Sequence, residues 1–223
     1  MLLRTGLISL TAVSALTLIA ATTIQTPPNV PAKATPAAPP ASTAKPVSGE
    51  FAIDAVHSSL MFRVKHMGTS WFYGRINEVT GKIVFDEANP TTSSVEFEAK
   101  MDSIDTHNEK RDGHLKSPDF FNVEKFGTAT FKSKSCSKPV DGMYEVAGDL
   151  TLHGVTKPVT FKMEKSGSGK GPGGETVGFE TKFDIKRSDF GINYMPDGLG
   201  DEVRILVSVE AAKRGGGGKD KPK

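Results

Sequence analysis

The chain has 223 residues, of which 37% are hydrophobic and 24% charged, as expected for one globular domain with additional segments. Seven of its 28 lysines and arginines lie outside residues 50–213, against one of its 26 aspartates and glutamates, so the central region is net acidic. A net acidic region lacks the excess positive charge needed to neutralise a phosphate backbone, which argues against nucleic-acid binding. The single cysteine, Cys136, excludes an internal disulfide.

Residues 1–24 have the layout of a secretory signal. Arg4 precedes an apolar stretch from Leu7 to Ala21, and small residues follow at the end of that stretch. The stretch is also nearly long enough to span a bilayer, so an uncleaved anchor stays open as the alternative. Both alternatives predict a periplasmic or secreted protein, and the anchor predicts membrane association through the N-terminus.

Composition separates a folded region from its flanks. Residues 25–49 are dominated by proline, alanine and threonine, which predicts a disordered linker. Residues 214–223 are rich in glycine and lysine and predict a flexible tail. The folded domain is therefore expected over residues 50–213.

Apolar and polar residues alternate with a period of two through this region, as in Leu60, Phe62, Val64 and His66. This period is typical of antiparallel strands with one buried face. An irregular phase near residues 74–77 indicates a bulge or sharp bend, and a glycine-rich stretch at 166–174 predicts a hairpin loop. Eight strands are predicted, at residues 51–67, 72–86, 92–101, 127–137, 142–152, 157–165, 175–187 and 201–212. Short turns between them favour an up-and-down barrel or a sandwich.

A short helix is predicted between the third and fourth strands. Thr106 and Glu109 fit a capping box that would start it at His107, and Pro118 would end it. His107, Arg111 and His114 then share one side of the helix. Two turns between the histidines are too many for ordinary chelation of one metal, and Arg111 opposes a cation, so no metal site is predicted.

Four segments resemble the YceI-like family of lipid-binding proteins: "DAVHSSLMFRVKHMGTSWFYG" at 54–74, "SIDTHNEKRDGHLKSPDFFNVEKF" at 103–126, "GDLTLHGVTKPVTF" at 148–161 and "RSDFGI" at 187–192. The resemblance implies an all-β, eight-stranded antiparallel lipocalin-like barrel with a helical insert between strands 3 and 4. It also implies an exported protein whose internal tunnel holds an isoprenoid lipid. No catalytic chemistry is attributed to such a barrel.

The expected function is therefore binding, transport or storage of a long-chain isoprenoid lipid, a polyprenyl quinone or polyprenyl phosphate, without catalysis and without a catalytic cofactor. Polar groups at the tunnel mouth are expected from His66, Arg111 and His114. The tunnel-wall candidates are Phe62, Phe85, Phe97, Phe131, Leu150, Leu152, Phe161, Phe179, Phe183 and Ile185.

Two other functions stay open on the residues alone. A β-domain for adhesion or scaffolding would have a filled interior and an exposed apolar patch. A small hydrolase or metalloenzyme would need His107 and His114 to converge with carboxylates in a cleft. A homodimer is also left open, because the sequence does not fix whether the barrel exposes a strand edge.

Overall fold

An antiparallel sheet that curls into a barrel forms the body of the computed structural model, which describes residues 46–171 and 174–213. The predicted signal or anchor, nearly all of the predicted linker and the predicted tail lie outside these residues. The strands are β1 (Ser48–Ile53), β2 (Ser59–His66), β3 (Ser70–Ile76), β4 (Val79–Asp86), β5 (Ser94–Lys100), β6 (Ile104–Asp105), β7 (Thr128–Cys136), β8 (Met143–Leu152), β9 (Val155–Gly171), β10 (Gly174–Lys186) and β11 (Leu199–Lys213). The α-helix, α1, spans Glu109–Lys116, and short 3₁₀ helices span Pro90–Thr92, Met101–Ser103 and Arg187–Phe190.

Two of the eight predicted strands are each broken into two segments, and the third strand position continues past its predicted end. β1 and β2 are separated at residues 54–58 and β3 and β4 at 77–78, while β5 is followed by a 3₁₀ turn at 101–103 and the short strand β6. The second break falls at the edge of the stretch where the sequence predicts a bend. Each pair of segments occupies one strand position, so the predicted eight-stranded barrel is confirmed, with α1 between its third and fourth positions.

The barrel closes between its first and last strands. β1 pairs with β4 on one side and with β11 on the other, where Phe51 lies opposite Lys213. Strand β1 begins at Ser48, inside the predicted linker, because Ser48 pairs with Asp86 of β4. β2, β3 and β6 extend the wall beyond this ring at the opposite end of β11, where His66 pairs with Leu199.

The glycine-rich stretch at 166–174 is largely strand, not the hairpin loop that the sequence predicts. Strand β9 continues to Gly171, which pairs with Gly174 of β10, and a bulge interrupts the ladder between Gly178 and Phe179. The backbone hydrogen bonds of this ladder outweigh the weak strand propensity of glycine. The paired strands therefore include residues 166–171 and Gly174.

The end of the barrel that holds both ends of the described chain, called the closed end below, is filled by packed side chains. Phe51, Val177 and Ala211 are fully buried there. The Phe85 ring packs edge-on against Tyr144 and Phe179, with ring centroids 5.7 Å and 5.0 Å apart. Ligand access through this end is therefore blocked by the core.

Glu87 links two separate segments of the chain at the closed end. Its carboxylate accepts hydrogen bonds from the Val47 N–H at 2.9 Å and from Lys165 Nζ at 2.5 Å. Burial by itself would raise the pKa of Glu87, but the two hydrogen bonds and the charge of Lys165 outweigh it and hold this pKa below its usual value. A lowered folded-state pKa stabilises the fold above the unfolded-state pKa, and that stabilisation is lost as pH falls through the folded-state value.

Glu87→Gln is therefore expected to reduce the free energy of unfolding by about 1–2 kcal/mol at neutral pH, the usual cost of losing hydrogen bonds to a charged group. The difference from wild type should shrink as the pH falls through the lowered folded-state pKa of Glu87, because the wild-type carboxylate then also becomes protonated. Urea unfolding of both proteins at neutral and at acidic pH measures this difference, with exposed Glu164→Gln as the control. If Glu87→Gln lowered the free energy of unfolding equally at both pH values, the stabilising role of the Glu87 carboxylate would be contradicted.

Candidate functional site

A cavity of about 560 Å³ lies inside the barrel above the closed end. Its walls come from the inward-facing residues of the strands, which alternate with solvent-facing ones because side chains on a strand point to opposite faces in turn. The volume falls within the range of about 300–1,000 Å³ that is usual for small-molecule sites. The cavity is therefore large enough to hold a ligand rather than isolated water molecules.

Nine of the ten predicted wall residues line this cavity. They are Phe62, Phe97, Phe131, Leu150, Leu152, Phe161, Phe179, Phe183 and Ile185. Phe85 is the exception and is corrected here to a core residue, because it is 1% exposed and sealed into the closed end behind Phe179. Contact of the nine with a ligand stays a prediction.

Aliphatic residues of the cavity wall were missed by the sequence reading. Val203, Ile205 and Val207 of β11 line the cavity, and Ile205 pairs with Phe62 of β2 and Phe183 of β10. Their period-two spacing marks them as inward-facing, but alternation alone does not separate a residue that lines a cavity from one that packs a core. The wall therefore combines aromatic and aliphatic surfaces.

One seam of the wall is closed by side chains. The pairing of β9 with β10 ends at Thr181 and Met163, and the strands separate from there toward the mouth. Beyond that point the rings of Phe161 and Phe183 stack at 4.9 Å with an interplanar angle of 16°. The Thr181 hydroxyl donates to the Lys162 carbonyl at 2.7 Å. A side-chain hydrogen bond thus satisfies this carbonyl at the point where the backbone pairing of the two strands ends.

The cavity opens at the end opposite the closed end, between the β2–β3 hairpin, α1 and the segment 191–198. The three residues predicted at a polar mouth, His66, Arg111 and His114, all line the cavity at this end. They come from two elements that are far apart in sequence. The structure thus brings them to one opening, which is called the mouth below.

The start of α1 differs from the predicted capping box. The N-cap is Asn108, whose side chain accepts a hydrogen bond from the Arg111 N–H at 3.0 Å. Thr106 is not the cap, because its N–H and hydroxyl both donate to the carboxylate of Asp112. The helix ends at Lys116 before Pro118, as predicted.

The two polar groups of α1 lie against aromatic rings. The Arg111 guanidinium is 4.4 Å from the Phe72 ring centroid and donates to the Thr106 hydroxyl and carbonyl at 2.7 Å and 2.6 Å. His114 Nε2 is 2.8 Å from an Asp119 carboxylate oxygen. The His114 ring lies edge-on to Tyr194, a cavity residue that the sequence reading missed. These contacts fix hydrogen-bonding groups at the mouth of a cavity whose walls are mostly apolar.

His107 does not share the site of His114. It lies before α1, where its backbone N–H donates to Asp105 at 2.8 Å, and it does not line the cavity. Within residues 46–171 and 174–213, the side chains grouped closely enough to hold a metal ion are Asp54, His57 and Glu210. The convergence that a hydrolase or metalloenzyme built on the two predicted histidines would need is absent from this part of the chain.

Arg187 is the functional residue that sequence reasoning missed most completely. It is 6% exposed, lines the cavity and donates to four carbonyls: Gly200 at 3.0 Å, Ile192 at 2.9 Å, Tyr194 at 2.8 Å and Leu199 at 2.9 Å. Burial lowers the pKa of this guanidinium, and the nearby Asp201 carboxylate opposes that shift. Arg187 thus holds the segment that forms one side of the mouth.

Comparison with known proteins identifies the family to which this barrel belongs. The YceI-like domain profile matches residues 51–211, which is most of the chain. The chain belongs to the YceI-like family. Within that family it is 42% identical over 170 residues to the UPF0312 protein YE1254 of Yersinia enterocolitica, covering 75% of this chain and 88% of that one.

Solved structures extend the family likeness to the fold. A YceI protein of Campylobacter jejuni matches with 31% identity and a TM-score of 0.61, covering 68% of this chain and 90% of that one. A domain of Saccharophagus degradans described as polyisoprenoid-binding matches with 14% identity and a TM-score of 0.56, covering 74% and 99%. At that identity the second likeness shows the fold alone. In the described part of this YceI-like chain, no helix has the length and apolar character needed to cross a membrane.

Proposed function

We propose that this YceI-like barrel binds one long-chain isoprenoid lipid in its cavity, without catalysis. The observation that carries the proposal is the apolar cavity of about 560 Å³ that is closed at one end and open at the other. Transfer of an apolar chain from water is favourable by about 25 cal/mol per Å² of surface, so a chain burying about 400 Å² would gain roughly 10 kcal/mol before the costs of association. The fold shared with a polyisoprenoid-binding domain supports the same ligand class.

The mouth supports a ligand with a polar head. Arg111 and His114 bring hydrogen-bonding groups to the opening, while the interior beyond them is walled by phenylalanine and aliphatic side chains. Such a site holds an apolar tail inside and a head at the opening. A polyprenyl quinone and a polyprenyl phosphate both have this form, and both belong to the proposal.

The proposal extends to transport or storage outside the cytoplasm, in the periplasm or after secretion. Its support is the signal-like sequence of residues 1–24. A carrier suits that setting because a polyisoprenoid is insoluble in water and needs a protein to cross it. The scaffold alternative is weaker, since it expects a filled interior where this barrel has a cavity.

Mass spectrometry of an organic extract tests the ligand. The protein, purified without detergent from a host with its own membranes, is expected to yield about one isoprenoid lipid per chain, and the head group will separate quinone from phosphate. An extract free of isoprenoid, from protein that also fails to bind added polyprenyl lipid, would refute the proposed function and favour the scaffold alternative.

A further inference from the structure

The outer face of the β2–β3 hairpin is aromatic and basic. Phe62 and Val64 of β2 point into the cavity, so their neighbours Arg63 and Lys65 point outward. Trp71 of β3, opposite Lys65, is 44% exposed. The six outward residues of this hairpin include no acid and are Met61, Arg63, Lys65, Trp71, Tyr73 and Arg75.

Two of these cations lie against the tryptophan ring, and Lys65 also donates a hydrogen bond to the Thr69 carbonyl at 3.4 Å. The Arg63 guanidinium carbon lies 4.3 Å from the Trp71 ring centroid, and Lys65 Nζ lies 5.1 Å from it. Neither forms an ion pair with any residue that the structure describes, whereas Arg204 on the adjacent strand is paired with Asp184 at 2.7 Å. Positive charge on this face is therefore available to an anionic partner.

The apolar part of this face continues onto the rim of the mouth. Met67, at the hairpin turn, is 58% exposed, and Met195 is 41% exposed and also lines the cavity. The two side chains meet over Gly198, where an added Cβ would lie 2.2 Å from Met195 Cε and 3.1 Å from Met67 Sδ. The Met67 N–H donates to the Gly198 carbonyl at 2.7 Å. Asp197 is the one carboxylate in the segment 191–198.

We propose that the mouth docks on an anionic lipid bilayer through these side chains, and their set is called the docking surface. Its members are Arg63, Lys65, Met67, Trp71, Tyr73 and Met195. Exposed tryptophan, tyrosine and methionine beside unpaired cations match the apolar interior, the interface and the anionic headgroups of a bilayer. An exposed apolar patch of this kind marks an interaction site rather than ordinary surface.

The position of the docking surface favours a bilayer over a protein partner. Met195 belongs both to the rim and to the cavity wall, so an apolar path leads from the cavity to whatever covers the rim. A lipid that followed this path into a bilayer would avoid the cost of exposing its chain to water. Both ends of the described chain lie at the closed end, away from the mouth. Passage of a lipid between the cavity and the bilayer rests on the proposed function, whereas docking on the bilayer does not.

Trp71 is the only tryptophan in the chain, so its fluorescence reports this surface directly. Delipidated protein is mixed with vesicles of phosphatidylcholine containing phosphatidylglycerol. Docking is expected to shift the Trp71 emission to shorter wavelength, and phosphatidylcholine with brominated acyl chains is expected to quench it. Vesicles of phosphatidylcholine alone should bind at least tenfold more weakly, because each basic residue near an anionic surface contributes about 1 kcal/mol.

A double variant tests the surface while keeping the probe. Lys65→Glu with Met67→Ser is expected to weaken vesicle binding by about tenfold or more. The matched control, Lys138→Glu with Val140→Ser, changes the same residue classes in the turn between β7 and β8 at the closed end, where Val140 is 72% exposed. The control should bind vesicles like wild type.

Three results would overturn the proposal: an unchanged Trp71 emission at saturating vesicles, an equal loss in the test and control variants, or a protein dimer that the test variant breaks while wild type ignores vesicles. Binding of a polyprenol dispersed in detergent separates this proposal from the proposed function. The test variant should bind the polyprenol like wild type. Wild type that docks but binds no polyprenol would refute the proposed function and leave the docking standing.

Discussion

Ala129→Trp is expected to weaken isoprenoid binding by about a thousandfold while leaving the barrel folded. Ala129 of β7 lines the cavity beside Ala99, its partner on β5. An indole in that place would occupy space that the ligand needs and cover about 150–250 Å² of wall. At about 25 cal/mol per Å², a ligand excluded from that area loses roughly 4–6 kcal/mol, which is about a thousandfold or more in affinity.

The stability of this variant should change little, because the new ring enters a cavity rather than a packed core. Titration with a fluorescent polyprenyl analogue measures affinity, and urea unfolding measures stability. The control is Ala147→Trp on β8, where the alternation of buried residues places the side chain on the outer face. Undiminished, stoichiometric lipid in purified Ala129→Trp protein would show that the ligand lies elsewhere.

The fold was predictable from the sequence because the hydrophobic period of a strand is local. Phe97 and Ala99 alternate with Glu96 and Glu98, and this pattern requires a buried face whichever strands become neighbours. Breaks in the strands were harder to predict. At Met101–Ser103 a 3₁₀ turn interrupts the wall, although the apolar phase runs on to Met101.

The candidate site was predictable in part. An inward-facing aromatic residue either lines the cavity or fills the core, and strand alternation is the same in both cases, as Phe179 and Phe85 show. The difference depends on how far along the barrel axis each residue lies, which follows from strand register. Register depends on pairing between distant segments and cannot be read from one strand.

Arg187 was not predictable because its partners are backbone carbonyls. An arginine that pairs with a carboxylate has an aspartate or glutamate partner, which can be recognised in the sequence. A backbone carbonyl is present in every residue and cannot be recognised in that way. The "RSDFGI" segment supports the family resemblance, yet no residue type in it indicates that the arginine turns inward. The role of Arg187 appears only when residues 192–200 are folded around it.

Arg187→Ala is expected to reduce the free energy of unfolding by about 4 kcal/mol or more. The substitution removes the donors to four carbonyls, and each buried acceptor left without a partner costs about 1–3 kcal/mol, less where water reaches it. Segment 191–198 should also become sensitive to proteolysis, because Arg187 donates to two carbonyls within it and to two directly after it. Urea unfolding and limited proteolysis measure the two effects, with exposed Lys186→Ala as the control, expected within about 0.5 kcal/mol of wild type.

Two further substitutions distinguish donor geometry from charge and from packing. Arg187→Lys keeps the charge but replaces a planar fork of five donors by a compact ammonium with three, so it should recover only part of the lost stability. Arg187→Met keeps an unbranched apolar stem and none of the donors, so it should remain close to Arg187→Ala. Full recovery by lysine would assign the stabilisation to charge, and recovery by methionine would assign it to packing. The mouth depends on Arg187 in the way described above only if neither substitution restores the wild-type value.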